Sequence, residues 1–225
     1  MSKLILSALR TFLIGALVLG VLLFLPAQTL NYWQAWVFII VFQTAVNAIG
    51  LYLALKDPAL FERRKKVGPA AEQNPAQKII MSLALLSLVA LLVVCALDHR
   101  LGWSRMPVVA SLIGDLLVML GLYLNFIVFK ANSFGASTIQ VVEAQKVIST
   151  GPYALIRHPM YGGVLIMVAG VPLALGSWWG LLILALVLPG LVWRILDEEQ
   201  TLKRDLPGYL EYMQKVRYRL VPYLW

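Results

Sequence analysis

The sequence predicts an all-α integral membrane protein of about six transmembrane helices, with a polar cytoplasmic loop and a polar C-terminal tail. Three observations carry that prediction. Of the 225 residues, 60% are hydrophobic and 13% charged, too little charge to cover a soluble surface. Apolar runs recur at lengths suited to a hydrocarbon core of roughly 30 Å. The basic residues are confined to short segments between those runs, so the net charge of +8 reads as membrane topology and not as affinity for nucleic acid.

Lys3 and Arg10 before the first apolar run look like the start of a signal peptide. Leu25-Pro26-Ala27 is a poor cleavage pattern, however, and the stretch is too long, so it reads as a retained span. No charge occurs between Arg10 and Lys56, a length for two spans that turn near Pro26 to Asn31, with Tyr32, Trp33 and Trp36 as an interfacial aromatic belt. Residues 56–78 read as a polar loop. Its basic run from Arg63 to Lys66 either enforces orientation or docks anionic headgroups. A third span is expected over Ile79 to Leu97, then a short wet loop with Asp98, His99, Arg100, Trp103 and Arg105, then a fourth span from Pro107 to Phe129 that also holds Asn125. Asp115 in the fourth span must face the bundle, where pairing with another side chain is expected.

The stretch between Arg157 and Arg194, broken at Gly176 to Gly180, holds two spans of about 17 residues each, at the short limit. The second runs past Arg194, and Pro172 and Pro189 predict bends. The tail, interrupted at Pro207-Gly208, is too short for a domain and is expected to pack back on the preceding polar insertion. With this hairpin order, all 19 Lys and Arg residues except Arg100 and Arg105 fall on the side shared by the two termini, which places both the N- and C-termini in the cytoplasm. The chain divides into a four-span region, 1–129, and a core, 130–225, of loop, two spans and tail.

Chemistry is expected where the polar insertion from Gln140 to Tyr161 meets an apolar helix. Gly151-Pro152 marks a turn, and Pro159 marks a helix start because proline at the first helical position loses no hydrogen bond. The amides of that first turn could meet an anion beside His158. On the plainer reading, Arg157 is a membrane-edge anchor and His158-Pro159 a helix cap. Arg194 and Glu198 share a helix face and Glu199 follows, but Arg four places before Glu is the weaker order for helix stability. Such an Arg can hold a carboxylate through paired hydrogen bonds, and a nearby Glu can bind an amine, a ribose hydroxyl or a cationic centre. A juxtamembrane salt bridge is the alternative. Cys95 alone, and His99 and His158 far apart, make neither a disulfide framework nor a metal-ligand cluster.

Thr150-Gly151-Pro152-Tyr153, Arg157-His158-Pro159-Met160-Tyr161-Gly162, the Arg194 to Glu199 segment and Gly208-Tyr209-Leu210-Glu211-Tyr212 with Val216 and Pro222 together resemble the isoprenylcysteine carboxyl methyltransferase family. Phospholipid N-methyltransferases are similar at the same two motifs. The resemblance covers roughly residues 130–225. It implies a membrane methyltransferase that uses S-adenosyl-L-methionine in a pocket built by loop and tail, unlike the nucleotide-binding sheet of soluble methyltransferases. In agreement, no Gly-x-Gly-x-x-Gly follows a predicted strand.

By the family motif, Gln140, Gln145, Lys146, Val147, Ile148, Tyr153, His158, Pro159, Met160, Tyr161 and Glu198 should line the cofactor pocket. Gln140 aligns only with a gap, and Gln145 stands where family members can carry His. The resemblance makes Arg194 the residue that handles the substrate carboxylate and gives Arg194 and Glu198 the catalytic roles. The implied partners are a lipophilic or lipidated acceptor and membrane lipids, and no nucleic acid. Carboxyl O-methylation is the leading expectation and phospholipid amine methylation the alternative. A nicotinamide-dependent sterol or isoprenoid reductase and a non-catalytic scaffold or small transporter are the other readings. Asp115 as the lone ionisable group deep in a span gives an ion path little support.

Overall fold

Local sequence chemistry marks where several of the helices begin and end. The computed structural model describes residues 2–72, 74–135, 137–139 and 145–225. Helix α1 spans Ser2–Ala27 and α2 spans Trp33–Lys56, with Gln28 at φ +53° in the turn between them. A short helix, α3 (Pro58–Lys65), follows at once. Asp57 caps it by accepting from the Leu60 amide at 3.0 Å, and Pro58 occupies its first turn. Asn74 caps α4 (Pro75–Leu101) in the same way, accepting from Ala76 at 2.9 Å. That helix stops at Gly102, whose φ of +66° admits the left-handed conformation most side chains avoid. Helix α5 covers Val108–Ala131, α6 Pro159–Ala174, α7 Trp179–Asp205 and α8 Tyr209–Lys215. The segment expected to be polar loop thus contains a helix and the first turn of α4. Its Asp-Pro and Asn-Pro pairs were the available signals.

Five of these helices, α1, α2, α4, α5 and α7, are long and apolar enough to cross a membrane, whereas α6 is a shorter apolar helix of 16 residues. At 1.5 Å per residue α6 reaches about 24 Å, short of the roughly 30 Å hydrocarbon core. The protein is therefore multi-span, with five helices of spanning length among the described residues and a shorter apolar helix packed among them. Helix α6 packs along α5 more extensively than any other pair. Glycine makes this possible: a Cβ on Gly121 would lie 2.5 Å from the Gly163 carbonyl oxygen, and one on Gly170 would lie 2.7 Å from that of Gly114. Small residues let backbones touch where lipid offers no hydrophobic drive for association.

The main core gathers Leu23, Phe38, Leu91, Val118 and Val171 from α1, α2, α4, α5 and α6. At one end of the bundle Tyr32 donates to the Leu175 carbonyl at 2.7 Å and stacks on His99 with ring centroids 3.9 Å apart. His99 is therefore part of a packed helix end and not a wet loop residue. Asp115 is 5% exposed, and among the described residues neither of its carboxylate oxygens has a hydrogen-bond partner. The expected pairing is not found among the described residues: α5 turns Asp115 inward, as the cost of facing lipid requires, but no donor among those residues reaches it.

Candidate functional site

The opposite end of the bundle collects α3, the start of α4, the α5–α6 link, the end of α7 and the tail. Two backbone hydrogen bonds tie link to tail, from Arg157 N to Tyr218 O and from His158 N to Arg219 O, both 2.9 Å. The Arg157 side chain strengthens this seam. Its Nε donates to Glu199 Oε1 at 2.7 Å and its Nη1 donates to the carbonyls of Val216 and Arg217 at 2.9 and 2.7 Å. Glu199 also accepts from Arg219 Nε at 3.1 Å. Arg157 and Glu199 are 6% and 1% exposed, so Arg157 is an internal tie and not a membrane-edge anchor. The helix-dipole objection to an acid near the end of α7 is outweighed by these two guanidinium partners.

Above this seam lies a cavity lined by Gln145, Lys146, Val147, Ile148, Tyr153, His158, Met160 and Glu198, and closed by Asn132, Ile139, Leu202, Leu206, Tyr209 and Tyr212. Of the residues nominated from sequence, eight line it directly. Gln140 lies outside the described residues. Pro159 is buried at the start of α6. Tyr161 stands behind the wall, donating its hydroxyl to Glu198 Oε2 at 2.7 Å. Nothing local in the sequence marks Asn132, Leu202 and Leu206 as cavity residues, because an Asn after a span and leucines in a helix carry no distinctive signal.

Tyr153 accepts at its hydroxyl from Asn132 Nδ2 at 3.1 Å, and its carbonyl accepts from the Tyr212 hydroxyl at 2.7 Å. Burial pushes the Tyr153, Tyr209 and Tyr212 phenols up, so each remains a neutral hydroxyl at physiological pH. His158 is 5% exposed, with Nδ1 3.8 Å from Glu198 Oε2. Its Nε2 lies 3.4 Å from Glu199 Oε1 but without hydrogen-bond geometry, which leaves that nitrogen unsatisfied among the described residues. The first turn of α6 is less open to an anion than the sequence implied. Pro159 has no amide hydrogen, and the amides of Tyr161 and Gly162 return to the His158 carbonyl at 3.1 and 3.3 Å.

Arg194 does not line the cavity. Its Nε donates to the Tyr161 hydroxyl at 3.0 Å, its Nη1 to Glu72 at 3.0 Å and to Gln77 at 2.7 Å, and its Nη2 to the Ser137 carbonyl at 2.8 Å. The Tyr161 hydroxyl thereby joins Arg194 to Glu198, which accounts for their four-residue spacing. Glu72 and Gln77 come from over a hundred residues away, and nothing local in the sequence marks them as partners of Arg194.

A second, larger cavity of about 660 Å³ runs between α2, α3, α5 and α6 and is walled mainly by apolar side chains. Met160 lines both cavities. Among the described residues no group of three or more His, Cys, Asp or Glu could hold a metal ion.

These features define a class: a helical membrane protein with a cavity of mixed polar and apolar lining at one end of the bundle that adjoins an apolar groove. Residues 109–206 match the model of the phospholipid methyltransferase family, so this part of the chain is similar to that family. The matched stretch runs from the start of α5 to the residue after α7. No curated relative matches the chain.

Proposed function

We propose that the protein transfers a methyl group from S-adenosyl-L-methionine to a lipid-like acceptor, with an amine nitrogen as the atom methylated. The observation that carries this reading is the pair of cavities meeting at Met160, one of mixed polarity and one apolar, in a chain whose residues 109–206 match the phospholipid methyltransferase family. The mixed wall suits the donor chemically: Val147, Ile148, Leu202 and Tyr209 offer apolar surface to a purine, and Glu198 offers a carboxylate to a cationic centre. The cavity itself measures about 100 Å³, below the roughly 300–1,000 Å³ of small-molecule sites, so binding the donor widens it.

When bound, the donor supplies an electrophilic methyl on a sulfonium, which in-line displacement transfers without a metal. The residues contribute alignment and exclusion of water. Glu198, a quarter exposed, keeps one oxygen on Tyr161 and has the other available to take the proton that the acceptor amine loses. Arg194 acts through Tyr161 as a positioning residue that fixes this carboxylate. Carboxyl O-methylation is the second reading, but it requires Arg194 to release its internal partners and turn toward the acceptor. The orientation read from the basic residues, with both termini and this site in the cytoplasm, supplies a soluble donor from water and a lipid acceptor from the bilayer.

The test is incubation of the purified protein with methyl-labelled S-adenosylmethionine and total membrane lipid. Label in a lipid fraction that resists mild base supports the amine reading. Label released by base, as from a methyl ester, supports the carboxyl reading, and absence of label from every lipid fraction overturns methyl transfer to lipid.

A further inference from the structure

Arg64, in the last turn of α3, is a half-buried guanidinium without a carboxylate partner among the described residues. Its Nη1 lies 3.5 Å from the Met160 sulfur, and its Cζ stands 4.0 Å over the Phe129 ring. A thioether and an aromatic face are weak company for a full charge. Its neighbours are better provided: Lys65 pairs with Glu62 at 2.6 Å, and Arg63 donates to the Ser133 carbonyl. Burial pulls the Arg64 guanidinium down to about 10, which still leaves it charged at neutral pH.

Its position gives the unmatched charge a meaning. Arg64 lines the polar end of the apolar groove, and Met160, against which it rests, also lines the donor cavity. Along the groove run Phe42, Ile49, Leu53, Leu122, Val164 and Met167, which suit an acyl chain. Asn125 also lines the groove and is 6% exposed; its side-chain oxygen, without a partner among the described residues, is an acceptor that suits a hydrogen-bond donor on a ligand and not a phosphate oxygen. A cation without an anionic partner at the end of a groove is costly unless a ligand completes it.

We propose that Arg64 anchors the phosphate of the acceptor phospholipid, with the acyl chain in the groove and the amine carried on a short linker past Met160 toward Glu198. This rests on the lipid methylation reading and deepens it by naming the headgroup and the residue that selects it. The order of groups along the molecule, chain then phosphate then amine, matches the order of groove, Arg64 and donor cavity. Arg64 forms hydrogen bonds to the phosphate oxygens and takes no part in the transfer of the methyl group or the proton.

The experiment compares wild type with Arg64→Gln, Arg64→Lys and Lys66→Gln, the last a loss of the same charge from an exposed neighbour. With phosphatidylethanolamine as acceptor, Arg64→Gln should raise KM about tenfold or more, as for loss of a hydrogen bond to a charged group, while donor affinity stays unchanged. Arg64→Lys should recover part of the loss, and Lys66→Gln should match wild type. An unchanged KM in Arg64→Gln, or an equal rise in Lys66→Gln, overturns the proposal. A second arm needs no catalysis: native mass spectrometry from mixed micelles should show wild type retaining phosphatidylethanolamine over diacylglycerol and Arg64→Gln losing that preference. Loss of long-chain carboxylic acid binding in place of phospholipid binding would assign Arg64 to a carboxylate and overturn the phosphate anchor. If wild type methylates no lipid, the enzymatic reading fails, and the retention arm still decides the role of Arg64.

Discussion

The two ends of the helix bundle both bury carboxylates, and they treat them differently. At the end formed by the α1–α2, α4–α5 and α6–α7 turns, Asp98 is 1% exposed and accepts from Ser104 N at 2.7 Å, Ser104 Oγ at 2.6 Å and Ser177 Oγ at 2.5 Å. Ser104 Oγ in turn accepts from Trp178 N, and Ser177 Oγ from Gly180 N, both at 3.0 Å. That network closes on itself, stitching three helix ends together. At the other end, Glu199 is equally enclosed by Arg157 and Arg219, but Glu198, one residue earlier, is held on one side only and faces a cavity. His158 Nε2, the Tyr209 hydroxyl and Arg63 Nε at this end lack hydrogen-bond partners among the described residues, as do Gln34 Oε1 and Ser111 Oγ toward the other end. A carboxylate whose acceptor capacity is fully used holds a fold together; one with an oxygen to spare beside a cavity can do chemistry.

This contrast can be broken most forcefully at Glu199. Glu199→Ala strands two guanidiniums in a buried seam and should lower stability by about 3–5 kcal/mol, seen as loss of the unfolding transition of the folded tail in detergent. Wild-type stability in that variant would mean the seam is not the structural half of the site. Glu198→Gln keeps the shape and removes the proton acceptor. It should cut kcat by about a hundredfold or more with the melting temperature unchanged, and a variant that instead melts early would place Glu198 with the structural carboxylates. Asp98→Ala gives the smallest change. The stranded Ser104 and Ser177 donors should cost about 2 kcal/mol of stability, while methyl transfer per folded molecule stays at the wild-type level. A matching loss of activity would show that the two ends are coupled.

Much of this architecture is legible in local chemistry. Apolar run length, the Asp57-Pro58 and Asn74-Pro75 caps and His158-Pro159 locate helices because hydropathy and capping depend on residues only a few places apart. The cavity wall from Gln145 to Ile148, with Tyr153, His158 and Glu198, was legible only through family motifs. The fate of Arg194 was not, since its spacing to Glu198 suggested a substrate-binding pair and its guanidinium is taken up by Glu72, Gln77 and Ser137.

By itself, then, the sequence determined that the chain is helical, membrane-embedded and polar at the segments flanking α6, since these properties follow from the solvent preference of each stretch. Tertiary packing decided which ionised groups are spent on one another and which remain open: Arg194 on Glu72, Arg157 on Glu199, Arg64 on no carboxylate among the described residues. Partner choice between side chains far apart in sequence depends on distances of a few ångströms that appear only when the helices meet, and burial makes each such choice energetically large.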